Sequence, residues 1–267
     1  MTAMTEHEAA EELRQRQGTG ARYDDPAAPA TTLSWARRGT AYFARQLNTL
    51  TDAELDQPSL LPGWSRRHLI AHVGYNARAL ARLAEWARTG IEHPMYTGRQ
   101  QRDREIAFGS TLPSRALRFL FLHSEVHLNV EWRDLRGAEW EQEVRTVQGR
   151  AVPVQETAWM RTREVWVHAV DLDAGGSYLD FPPEVLDALL GDVIAAWDRR
   201  EEAVSLVLDP TDRVHRVTVG DAGGPVIRGR TADLVRWLTG RGARRLTLAG
   251  GTEVLDRADL PALPRWF

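Results

Sequence analysis

From Thr32 to Leu50 the apolar residues return every three or four positions, so that Leu33, Ala36, Phe43, Ala44 and Leu47, with Thr40 in register, share one face. That is the period of a half-buried helix. A second stripe, Leu69, His72, Val73, Asn76, Leu80 and Leu83, follows a Leu-Pro-Gly-Trp turn at 61–64, with Ser65 placed to cap its start. Two polar residues stand inside this otherwise apolar stripe. A third helix is predicted from Pro113 to about Leu135 and a fourth after Pro153. Between Val165 and Leu172 the fourth is apolar nearly all round apart from His168 and Asp171, the pattern of a helix buried on most sides. The stretch from about Gly90 to Thr111 is polar and irregular, and its length predicts a functional loop. Four helices with two longer crossings predict a four-helix bundle.

The pattern changes after Gly175-Gly176 and Pro182-Pro183. A helix carrying Leu186, Leu189, Leu190, Val193, Ile194 and Trp197 leads into strand-like runs at 204–208, 214–219, 225–229 and 245–250. A helix from Ala232 to about Leu238, with Thr231 as its N-cap, interrupts them. The expected organisation is a polar, mobile tail over residues 1–30, a helical bundle over 31–177 and a small α+β domain over 178–267. Trp159, Trp166 and Trp197 fall in helical patterns and are expected in the core, and Trp64 is expected to anchor its turn.

Composition removes several kinds of chemistry. The 267 residues include no cysteine, so disulfides, thiolate ligands and a cysteine nucleophile are excluded. All 34 basic residues are arginine, which excludes Schiff-base chemistry and a phosphate-loop lysine. A net charge of −3 recommends neither nucleic acid nor an acidic membrane as partner. No apolar run approaches the ~20 residues of a membrane span, and a cytoplasmic monomer acting on small molecules is expected. There is no Gly-x-Ser-x-Gly elbow for serine-based hydrolysis.

What remains is metal chemistry. Glu164 and His168 are four apart and so share one face of the fourth helix, and His72 lies on the inward stripe of the second. Two imidazoles and one carboxylate leave a coordination position open, as a catalytic metal requires, and bundles build such sites from facing helices. Spacing nominates without choosing. His68 with His72, and His123 with His127, are also four apart, and a helical Glu-x-x-x-His is more often a surface pair than a ligand set.

The segment LPGWSRRHLIAHVGYNARAL at 61–80 resembles the signature of mycothiol-dependent enzymes built on the DinB-like bundle. WMRTREVWVHAVDL at 159–172 resembles the second metal-binding segment of their maleylpyruvate isomerase branch. Further likeness runs through GSTLP at 109–113, TVQGRAVPVQET at 146–157, WLTGRG at 237–242 and the terminal PRWF. The resemblance implies a mainly α fold, a DinB-like four-helix bundle followed by a small sterol-carrier-like α+β domain. It implies a divalent metal, zinc, on His72, Glu164 and His168, and mycothiol as the thiol that a cysteine-free chain must borrow. Arg241 matches a family position that reaches the active site, and Arg102 in the long stretch is a second arginine for a substrate with a carboxylate at each end. Asn76, one turn after His72, is expected either to bind cofactor or to support His72. The implied reaction is cis-trans isomerisation of maleylpyruvate to fumarylpyruvate. Mycothiol S-transfer to another electrophile, metal-assisted hydrolysis and a non-catalytic metal-binding regulator stand beside it.

Overall fold

A computed structural model describes residues 23–221, 223–256 and 259–266. Most of the expected N-terminal tail, residues 1–22, lies outside them. Asp24, within that expected tail, accepts two bonds from the Arg37 guanidinium, at 2.5 and 2.7 Å. The four bundle helices are α1 (Ala30–Thr49), α2 (Arg66–Thr89), α4 (Ser114–Asp134) and α5 (Glu156–Asp171). Between α2 and α4 lies α3 (Arg99–Ser110). The expected loop is therefore half helix. Only Ile106 and Gly109 of α3 are buried, so it has no apolar stripe to reveal it in sequence.

The chain divides into two compact units, Met1–Thr40 with Arg67–Thr162, and Ala41–Arg66 with Arg163–Phe267. Both α1 and α5 run from one into the other. In the first unit, Leu33 and Ala36 of α1 join Leu80 and Leu83 of α2, Leu128 and Trp132 of α4, and Ala158 of α5 in one apolar cluster. Fifteen of the 24 residues of α2 are buried, and α5 is still more enclosed, with 11 of its 16. Cross-links follow the same geometry: Trp132 donates to Thr157 at 2.9 Å, Arg78 to Ser124 at 3.1 Å and Arg37 to Asn129 at 2.9 Å. Gly109 lets α3 lie directly on α2, since a Cβ there would stand 2.7 Å from the Ala71 Cβ and from the Tyr75 ring. A short antiparallel hairpin, β1 (Glu143–Arg145) and β2 (Ala151–Pro153), buries Val144 and Val152 ahead of α5.

In the second unit α6 (Pro183–Arg199) precedes a four-stranded sheet of β3 (Leu206–Pro210), β4 (Val217–Val219), β5 (Val226–Gly229) and β6 (Thr247–Leu248). The strand order is β4-β3-β5-β6, and only the β3–β5 pair is parallel. The crossover that this pairing needs is not helical. Instead α7 (Thr231–Leu238) follows β5 and packs on α6, β3 and β5. Thr231 is the first helical residue of α7 and not its cap; its N–H and hydroxyl both donate to Asp212 Oδ1, at 2.9 and 2.7 Å. Tyr42, Trp166, Tyr178 and Phe181 form an aromatic cluster, with Tyr42 stacked on Trp166 at 5.1 Å and Tyr178 on Phe181 at 4.7 Å. Trp166 and Trp197 are core residues, whereas Trp159 is half-buried, edge-on to Trp35 in the first unit. Among the described residues no helix is long and apolar enough to cross a membrane.

Candidate metal centre

The last turn of α5 is held from outside the helix. A helix leaves its final carbonyls without intrahelical donors. Here the Asp171 carbonyl accepts from the Leu60 N–H at 2.9 Å, the Leu172 carbonyl from Arg66 Nε at 2.7 Å and the Asp173 carbonyl from Arg66 Nη2 at 2.7 Å. The turn at 61–64, which Gly63 closes with a φ of 78°, delivers Arg66 to this place. The residue that opens α2 thereby secures the end of the helix that carries Glu164 and His168.

His72, Glu164 and His168 each offer one ligand atom, and these atoms all lie within 4.8 Å of one another. His72 is buried and the other two are half-buried. His168 Nε2 is 3.2 Å from Glu164 Oε2. A tetrahedral ion with bonds of about 2.0–2.2 Å holds its ligand atoms about 3.4 Å apart, so the three atoms need only small side-chain adjustments to share one. Two imidazole nitrogens and a carboxylate oxygen suit zinc and other borderline divalent ions. The rival pairs do not converge in this way. His123 and His127 are exposed on α4, and among the described residues neither they nor His68 belong to such a group.

Behind His168 stands a second layer that the sequence reading passed over. His168 Nδ1 is 2.8 Å from Asp171 Oδ2. Asp171 is fully buried and also accepts two bonds from Arg241, from Nη2 at 2.7 Å and from Nε at 3.2 Å. Arg241 Nη1 donates to the Thr239 carbonyl at 2.6 Å, and the Thr239 and Tyr178 hydroxyls are 2.8 Å apart. Burial by itself would push the Asp171 carboxyl up, but the bonds from His168 and Arg241 hold it below the usual carboxylate value. For His168 burial favours the neutral ring, yet the two flanking carboxylates outweigh it and raise the imidazole from 6.5 to about 8 in the metal-free chain. The signal available in the sequence was Asp171 itself, an ionisable residue three positions after a histidine on an otherwise apolar helix.

The remaining expected residues take other places. Arg241 is committed to Asp171 and is thus tied to the centre through His168. Arg102 sits on α3, paired at 3.1 Å with its neighbour Asp103. Asn76 is buried, and its Oδ1 accepts from Arg161 Nη1 at 2.9 Å.

Comparison with known proteins places the chain beside one family. A family model described as the mycothiol maleylpyruvate isomerase N-terminal domain matches residues 36–173. A crystal structure of the mycothiol-dependent maleylpyruvate isomerase is similar at a TM-score of 0.81 and 43% identity, over 89% of this chain and 96% of that one. A histidine-to-alanine mutant of that isomerase is similar at a TM-score of 0.80 and 42% identity, over the same shares of 89% and 96%. A search of curated proteins finds no match.

Proposed function

We propose, since the chain belongs to the mycothiol maleylpyruvate isomerase family, that it converts maleylpyruvate to fumarylpyruvate at a divalent metal held by His72, Glu164 and His168. The observation that carries this reading is the convergence of those three donor atoms within 4.8 Å. The donor set fits zinc, and the absence of cysteine fits a reaction whose thiol is brought by a cofactor. A divalent ion bound there supplies Lewis acidity and lowers the pKa of a coordinating thiol. Mycothiol, when bound, supplies a thiol able to add reversibly to a cis double bond conjugated with carbonyl groups, leaving a single bond free to rotate.

The chain's own residues orient this chemistry. Asp171 takes the Nδ1 proton of His168 in a hydrogen bond, which leaves Nε2 as the ligand atom and raises the basicity of the ring. Arg241 fixes the Asp171 carboxylate by a two-point contact, so its part is to hold the ligand shell in place. Arg102, half-exposed on α3, is kept as the arginine for a substrate carboxylate. The end of the family match at residue 173 supports a boundary near 178 along the chain, between 31–177 and 178–267, although the compact units part earlier, within α5. A cytoplasmic setting, where small thiols stay reduced, suits a thiol-dependent reaction.

The test is conversion of maleylpyruvate by metal-loaded protein with and without mycothiol. Turnover that requires the thiol and does not consume it supports isomerisation. Consumption of the thiol with formation of a stable adduct overturns it in favour of S-transfer, and turnover without thiol points to a hydrolytic centre.

A further inference from the structure

We propose that Arg161 is a positioning residue for the metal centre, because its buried guanidinium sets the register of α2 along α5 and so the place where His72 stands. This rests on the metal reading above. Arg161 is fully buried and is one of the largest side chains that the protein encloses completely. It lies three residues before Glu164 and seven before His168 on the same helix.

The contacts of this side chain reach every other helix of the bundle. Nη1 donates to the Val73 carbonyl and to Asn76 Oδ1, both at 2.9 Å. Val73 directly follows His72, and Asn76 is one turn further along α2. Nη2 forms an ion pair with the buried Glu125 of α4, and Glu125 Oε2 accepts from the Thr40 hydroxyl of α1 at 3.1 Å. One charged group inside the bundle therefore touches α2 and α4 directly and α1 through Glu125.

An ion pair of this kind is poorly explained as a stabiliser. Desolvating both charges cancels much of their attraction, and apolar replacements of similar volume commonly leave stability equal or higher. What it does supply is selectivity among packings. Apolar side chains tolerate small slips of one helix along another, whereas buried donors and acceptors are satisfied in one alignment only. The scale of the slip matters here. Each residue advances a helix by about 1.5 Å, whereas metal–ligand distances tolerate only about 0.2 Å. A displacement of α2 by part of a residue adds to the side-chain adjustment that His72 must make to reach a shared ion, and so weakens binding, while leaving the apolar packing nearly intact.

The test uses the metal-free full chain, its zinc affinity read by competition with a chelating indicator and its stability by urea unfolding. Two variants are compared with the parent. Arg161→Met with Glu125→Leu removes both charges and leaves neither unpaired. Arg161→Lys keeps a positive charge but loses the planar fork that serves α2 through Nη1 and Glu125 through Nη2 at the same time. The expected result is a double variant with a urea midpoint equal to or above the parent's and a zinc affinity 10–100-fold lower, the range typical for residues that orient metal ligands. Arg161→Lys is expected to fold and to lose about tenfold in affinity. Parental zinc affinity in either folded variant overturns the proposal. So does a loss of affinity that merely follows a loss of stability in both, which would mark Arg161 as a structural ion pair. A parent chain that binds no zinc is visible before any substitution and overturns the metal reading instead.

Discussion

Asp171→Asn changes almost no volume and tests whether the second layer governs the first. In the native site Oδ2 faces two donors, His168 Nδ1 at 2.8 Å and Arg241 Nη2 at 2.7 Å, and Oδ1 faces one, Arg241 Nε at 3.2 Å. An asparagine keeps its oxygen where two donors meet, so its NH2 is turned toward Arg241 Nε, donor against donor. One charge-assisted bond is lost, about 1.5–3 kcal/mol, and a mostly buried guanidinium loses its counter-charge. A destabilisation of about 3 kcal/mol lowers Tm by about 6–12 °C for a chain of this size. The second consequence falls on the metal. A neutral amide is a poorer acceptor for the His168 Nδ1–H, so Nε2 becomes less basic and zinc affinity is expected to fall about tenfold. Thermal unfolding of the metal-free protein and chelator competition read the two effects separately. A lowered Tm with unchanged zinc affinity would refute the argument that Asp171 tunes His168, and would leave it only a brace for Arg241.

The metal-free chain should lose stability as pH rises through about 8. His168 is raised from 6.5 to about 8 in the fold, so its protonated form adds about 2 kcal/mol that is fully present below pH 6.5 and gone above pH 8; a flat urea midpoint between pH 6 and 9 would contradict this. Gly109→Ala forces a Cβ to within 2.7 Å of the Ala71 Cβ, and should cost about 1–3 kcal/mol and shift α3, seen as a lower urea midpoint; an unchanged midpoint would show that α3 moves away freely. Arg102→Ala removes a half-exposed pair with a sequence neighbour, so Tm should change by no more than about 2 °C while KM for maleylpyruvate rises; unchanged KM removes Arg102 from the substrate site.

Apolar stripes placed α1 and α2, and the prolines at 113 and 153 with an apolar stretch at 165–172 placed α4 and α5, all within a few residues. The β-branched runs likewise located the four strands of the C-terminal sheet. Where burial was slight the reading failed. The α3 helix buries two residues of twelve, and its charged surface reads as loop. The cap of α7 comes from Asp212, nineteen positions before Thr231, and no local pattern announces a partner that distant.

The same division holds at the metal centre. Glu164 and His168 form a pair by helix geometry, which any reader of the sequence can calculate. That His72 joins them, and that His123 and His127 join nothing comparable, depends on how separate helices pack, and a spacing rule carries no information between helices. The resemblance to a known family nominates the same three residues. Neither route foresaw the Asp171–Arg241 support or the Arg161–Glu125 pair inside the bundle. Sequence by itself determined which faces are buried and which residue types are available for chemistry, because both follow from local period and composition. Tertiary structure decided which of those residues meet, because a buried charge finds its partner only when helices far apart in the chain close the space around it.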